Sequence, residues 1–218
     1  MTERFIHHLR VELPPATERA AEARLRLADK FPRPALRRMT HLGLLIGSVL
    51  DGAPLAPEDA LVYASSFAET RALEEFLTSF PAASPLWFHA SIHPGGAQQV
   101  LIGRQQPIAR LWPLAGRTRL VEQALLTALL EPAARVAVVG GEERGTWMLE
   151  RRVASATSFA FAAILTRQPA GAVAHVAFSP DAQSEGVCPT LQDFAQDLAS
   201  RRTLNWHGIG GAWSLAWL

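Results

Sequence analysis

The sequence predicts an α/β fold, a mixed sheet with helices on both faces. Three observations lead there. Helical and strand-like segments alternate along the chain. Of its 218 residues 49% are hydrophobic and 19% charged, ample for a continuous core. Runs such as Ala60–Ser65 and Arg135–Val139 are short, apolar and closed by turn residues, which is strand character.

Taken in order, Phe5 to Leu13 reads as a first strand, ended by Pro14-Pro15, and Ala16 to Asp29, rich in Ala, Glu and Arg, as an exposed helix or helical linker. Pro34 sits where a first helical turn tolerates it; Met39, Leu42, Leu45, Ile46, Val49 and Leu50 then recur at helical spacing as far as Asp51-Gly52. Ala60 to Ser65 is a strand. Glu69 to Phe80 is a helix whose stripe of Leu73, Phe76, Leu77 and Phe80 reads, on periodicity alone, as a core face. Pro81 to Pro94 is irregular and aromatic, and Pro94 opens a short helix to Gly103. Thr118 to Leu130 is an amphipathic helix, and Arg135 to Val139 a β-branched strand ending in Gly140-Gly141. Ser158 to Thr166 and Ala172 to Ser179 read as an antiparallel hairpin. A helix follows from Pro189 to Ser200, and a last strand from Gly210 to Leu218. Neither an internal repeat nor a composition shift divides the chain, so residues 1–218 are expected to form one domain.

Several function classes are excluded. With 21 basic and 20 acidic side chains, a formal charge of +1 supplies no sequence-wide field for nucleic acid or an anionic membrane. Lys30 is the only lysine, and the arginines are scattered from Arg4 to Arg202. The single Cys188 makes no internal disulfide and suits a reducing compartment. The N-terminus lacks a signal peptide's apolar stretch, and the longest apolar-rich run, Val153 to Leu165, falls short of the roughly 20 residues of a bilayer span. A cytoplasmic protein without a membrane span is expected. Gly140-Gly141 continues into Glu142-Glu143, whose carboxylates repel phosphate, and no Gly-x-Ser-x-Gly elbow occurs. None of the seven histidines pair at metal-ligand spacing, so no metal or cofactor is expected.

One stretch carries more. From Ser91 the sequence runs Ser-Ile-His-Pro-Gly-Gly to Gln106-Pro107, then through Leu-Trp-Pro-Leu-Ala-Gly-Arg-Thr and an amphipathic helix to Arg-Val-Ala-Val-Val-Gly-Gly-Glu-Glu at Glu143. It resembles the N-terminal half of β-ketoacyl synthases of the thiolase-like fold. In that family a Gly-x-x-Gly-Pro turn leads into a strand, a nucleophilic cysteine starts the next helix, and a following strand ends in Gly-Gly-x-Glu. Arg37-Arg38-Met39, Val62 to Ser65, Glu69 and Ser91 to His93 are similar to the short ketosynthase-like subunits described as chain-length factors of aryl-polyene-type pathways. The resemblance covers residues 31–179 and leaves 189–218 as an addition.

Spacing from Pro107 forwards and from Gly140 backwards both place the family's nucleophile on Ala115, which has no thiol to carry an acyl chain. The basic histidines of active ketosynthases come from a C-terminal half that this sequence does not match. The resemblance therefore implies a thiolase-like half, a pseudoenzyme that pairs with a catalytic ketosynthase in a type II fatty acid or polyketide pathway and serves an acyl carrier protein. Leu73, Phe76, Leu77 and Phe80 are then candidates for the wall of the acyl tunnel. Trp112 and the strand Arg135, Val136, Ala137, Val138 and Val139 are candidates for the partner interface, and Arg117, Arg119 and Arg144 for carrier docking. Trp206, Trp213 and Trp217 either cover the face that a second half would occupy or complete the core. Two alternatives stand beside this: a homodimeric carrier-docking scaffold, and an enzyme with relocated chemistry at Cys188 or His93.

Overall fold

The computed structural model describes residues 2–218. The chain opens with strand β1 (Thr2–Glu12), helix α1 (Ala20–Arg26), a 3-10 turn at Ala28–Lys30, and helices α2 (Arg33–Leu36) and α3 (His41–Val49). Then come β2 (Ala60–Ser65), α4 (Thr70–Thr78), α5 (Pro85–Ala90), α6 (Gly95–Gly103), β3 (Arg110–Ala115), α7 (Leu120–Leu130) and β4 (Arg135–Glu142). The remainder is α8 (Trp147–Glu150), β5 (Phe159–Thr166), β6 (Ala174–Pro180), α9 (Leu191–Ala199), β7 (Leu204–Gly208) and β8 (Gly211–Trp217).

The eight strands form one mixed sheet in the order β3-β2-β4-β5-β1-β6-β8-β7. β2 runs parallel to both β3 and β4, and the other pairs are antiparallel. Successive side chains of a strand face opposite ways, so each central strand feeds two cores. Val62, Val136 and Val138 pack with α7 and α9 on one face, while Leu61, Tyr63 and Val139 pack with α1, α3 and α6 on the other. β2, β4 and β5 are buried almost throughout, which is why they read as continuous apolar runs.

Three expectations are corrected and one alternative is decided. β5 and β6 are not a hairpin: β1 lies between them. Its inner half, from Phe5 to Glu12, pairs with β5 and its outer half, from Thr2 to Ile6, with β6. The helix expected from Pro34 is two helices, because Thr40 turns extended and its hydroxyl accepts the Gly43 N–H at 3.0 Å as an N-cap. The irregular aromatic stretch contains α5, capped by Ser84 with Pro85 at its first turn. Finally, Trp206 and Trp213 stack at 5.8 Å, both 1% exposed, in the hairpin of β7 and β8. They complete the core; Trp217 packs half-buried against it.

Among the described residues Arg4 is the one buried arginine, 1% exposed. Its guanidinium donates to the carbonyls of Glu131, Ala133 (2.9 Å) and Ala134 (3.3 Å), tying β1 to the turn that leads into β4. R4M removes the guanidinium donor from the Ala133 and Ala134 carbonyls and leaves that of Glu131 with Arg167 alone. It should cost about 3 kcal/mol, read as a lower urea midpoint at unchanged m-value.

Candidate functional site

The helix that the resemblance makes a tunnel wall is inverted relative to its hydrophobic pattern. α4 buries Thr70, Ala72 and Glu74. Leu73 and Phe76 are half-buried, and Leu77 and Phe80 are 42% and 57% exposed, so the stripe is a surface and not a core face. Phe76 packs against Phe80 at 5.3 Å and against Phe88 of α5 at 5.2 Å. With exposed Leu86, Trp87 and Ile92 nearby in sequence, the two helices hold an apolar surface of a kind that marks an interaction site.

A polar lock explains the inversion. Glu74, 2% exposed, accepts the Thr146 N–H at 2.6 Å and the Met148 N–H at 3.0 Å, with the Arg71 guanidinium at 2.8 Å. The Glu143 carboxylate accepts Leu42 N–H at 3.0 Å and Arg71 N–H at 2.7 Å. Glu142 accepts the Ser65 hydroxyl at 3.1 Å, the Phe67 N–H at 3.2 Å and the Ser66 N–H. Glu69 accepts Gly96 N–H at 2.6 Å at the start of α6. The tail of Gly-Gly-Glu-Glu is thus a pair of internal caps, and helix N-termini that attract anions are filled by the protein's own carboxylates.

β3 is one of the two edge strands of the sheet, β7 being the other, and is exposed at Arg110, Trp112, Pro113 and Ala115. Trp112 is 43% exposed, and its indole N–H donates to Glu131 Oε2 at 2.7 Å, while Arg110 pairs with Glu131 Oε1 at 2.7 Å. The partner-interface expectation therefore splits. Trp112 is on an edge; Arg135, Val136, Ala137, Val138 and Val139 are not. β4 is hydrogen-bonded on both sides, to β2 and β5, and has no free edge to offer.

Ala115 ends β3, exposed, and α7 begins only at Leu120, with Arg119 in a left-handed conformation (φ 54°) as its N-cap. No residue from Ala115 to Leu120 is a cysteine, serine or histidine. Arg117 stacks over Phe67 at 5.3 Å, which joins the loop after β3 to the turn after β2. Arg117 and Arg119 line a cavity of about 510 Å³ with Cys188 and His207, whereas Arg144 lines a different one of about 710 Å³ with Arg71, His41 and Trp87. The three carrier-docking candidates are divided between two cavities.

Neither relocated nucleophile is poised. Burial pushes the Cys188 thiol pKa up, against thiolate formation. His93 does not line that cavity. It stacks on Tyr63 at 4.9 Å, with its Nδ1 3.6 Å from Glu69 Oε2. Among the described residues no group of three His, Cys, Asp or Glu side chains is placed to hold a metal, and no helix is long and apolar enough to cross a membrane.

Solved structures share this architecture. A chain of the ketosynthase ApeO in complex with its chain length factor ApeC from Xenorhabdus doucetiae matches with a TM-score of 0.68 at 19% identity, over 99% of this chain and 99% of that chain. This chain has a ketosynthase-type fold. The ishigamide ketosynthase/chain length factor matches with a TM-score of 0.58 at 16% identity, over 83% of this chain and 68% of that one. A β-ketoacyl synthase from Burkholderia phymatum matches at 0.55 and 13%, over 93% and 70%. No protein-family model and no curated protein matches the sequence.

The internal caps of this ketosynthase-type fold give a pH signature. Burial pushes the Glu142 and Glu143 carboxyls up to about 7, against the pull of their N–H donors. A folded pKa above the unfolded one favours the protonated form. The contribution is complete below the ordinary carboxylate range and is lost as pH rises through about 7, at up to about 3 kcal/mol per group. His41, whose pKa burial lowers, acts in the opposite sense as pH falls. Urea denaturation should show lower stability at about pH 8 than at about pH 6, with a smaller difference in E143Q, which is fixed uncharged. Equal differences in parent and variant would remove Glu143 from this role.

Proposed function

We propose that the chain is a non-catalytic, chain-length-factor-type subunit that pairs through the β3 edge with a catalytic β-ketoacyl synthase in the cytosol, within a type II fatty acid or polyketide pathway. The observation that carries the reading is the free edge strand with exposed Trp112, joined through Arg117 and Phe67 to the base of α4 and its outward aromatic stripe. An unpaired strand is a template for another chain's strand, and exposed aromatics beside it give that chain apolar area to cover. The shared fold and matching length of a chain in a ketosynthase–chain length factor complex support the same reading.

Chemistry is left to the partner. The Ala115–Arg119 turn carries no thiol, and burial disfavours the thiolate of Cys188. This subunit's part is to shape the acyl tunnel: Leu73 and Phe76 of α4 close one wall where the growing chain arrives, backed by Phe80 and Phe88. An acyl carrier protein, acidic in this class of pathway, meets Arg117 and Arg119 beside that entrance.

Co-expression with the ketosynthase encoded beside it should yield an equimolar complex on size-exclusion chromatography; separate elution would sink the pairing. In the reconstituted pair, L73A or F76A should lengthen the products by opening the wall. Unchanged product length in both variants would remove that role. C188S should leave product formation intact, and a loss of product at normal complex yield would restore the thiol as a participant.

A further inference from the structure

Pro113 sits in the middle of the open edge strand β3, opposite Tyr63 of β2. A proline keeps a ladder intact only when its missing N–H points away from the paired neighbour. Tyr63 is 0% exposed, so no water replaces a bond lost on that side. Pro113 therefore faces outwards. In a parallel pair the N–H and C=O of one residue point the same way and those of the next residue the opposite way, so Leu111 and Ala115 share its direction while Trp112 and Leu114 hold β2. The outward-facing residues present three carbonyls but only the N–H groups of Leu111 and Ala115.

We propose that Pro113 selects the occupant of this edge, admitting the strand of a non-identical chain and disfavouring a second copy of β3. The inference rests on reading β3 as the partner surface. A two-fold pairing about an axis normal to the sheet runs the two strands antiparallel, with the same residues contributed from both sides. At full overlap Leu111 meets the second copy's Ala115, and Pro113 meets the second copy's Pro113. That central pair has two carbonyls and no donor between them. Shifted by two residues, Pro113 meets Leu111 twice, and each pair lacks one donor. Every self-register that overlaps both prolines is short of two donors. A partner strand without a proline meets the deficit once. Because an enclosed carbonyl without a donor costs more than the bond itself contributes, the difference favours the mixed pair. It is a specificity device of the kind that edge strands need, built from one residue.

The test uses the chain alone and its P113V variant, which restores the N–H with a residue that suits strands. Sedimentation equilibrium and residue-resolved amide exchange are read together. The parent should be monomeric, with fast-exchanging amides at Leu111 and Ala115. P113V should self-associate about tenfold more tightly or better, with positions 111, 113 and 115 protected in the dimer. P113T restores the same donor and should behave alike. A parent homodimer with protected Leu111 and Ala115 amides overturns the proposal. So does a P113V chain with unchanged self-association, or one that associates without edge protection. Failure of both variants to fold would place Pro113 in the fold's own service and also overturn it. The heterodimer reading fails separately, through missing edge protection when the ketosynthase is added.

Discussion

Buried carboxylates at the carboxyl ends of β2 and β4 hold the rest of the structure in place. Glu143 joins the first turns of α3 and α4 through two backbone N–H groups, and Glu142 closes the turn between β2 and α4. Glu69 anchors the start of α6, and Glu74 the segment that enters α8. Four buried side chains thereby satisfy donors that helix and turn starts would otherwise leave open. The crevice beyond the carboxyl ends of parallel strands is where open α/β sheets bind ligands. Here the chain fills those N–H positions with its own glutamates. The surfaces left open lie at the rim: the β3 edge, the loop after it, and the outward face of α4.

The buried Glu74 explains the inverted helix. A hydrophobic stripe reports which face of a helix is apolar, and says nothing of what covers it. Leu73, Phe76, Leu77 and Phe80 have the spacing of a core face, yet the side turned inwards is Thr70, Ala72 and Glu74, because the buried Glu74 carboxylate is held by the Thr146 and Met148 N–H groups and the Arg71 guanidinium. The aromatics point outwards and pair among themselves and with Phe88. An isolated chain gains less from such a helix than its composition suggests. The balance is recovered when another surface removes the stripe from water.

Most of the sheet's interior was legible in the sequence. β2, β4 and β5 are apolar runs of strand length, α7 is a regular amphipathic repeat, and each sits where its pattern places it. The order of these elements, with Gly-Gly-Glu-Glu at the end of β4, is also what carried the family resemblance. Long-range pairing was not legible. Nothing local in Phe159–Thr166 or Ala174–Pro180 records that β1, from the far end of the sequence, separates them. Capping side chains that cut α2 from α3 and start α5 are single residues, Thr40 and Ser84, against a strong background of helical spacing. The edge was misassigned for a readable reason. Arg135–Val139 is apolar without alternation, the mark of a strand covered on both faces, whereas Arg110–Ala115 carries a proline, which a central strand does not accept.

The edge is also prepared in advance. Glu131, at the end of α7, receives the indole of Trp112 and the guanidinium of Arg110 on its carboxylate, together with the Ala133 N–H. Burial alone would raise its pKa, but these donors outweigh it and hold the carboxyl below the ordinary range, so the node stays charged and intact until pH falls well into acid. The backbone carbonyl of the same residue receives Arg4 from β1 and Arg167 from the turn after β5. The two exposed side chains most able to meet a partner are therefore fixed by a residue that is itself fixed by the core. Ordering long side chains at an interface is part of the cost of association, and here folding has already met it for Trp112 and Arg110. An edge kept rigid, and short of one donor at Pro113, discriminates by backbone geometry before any side-chain chemistry is compared.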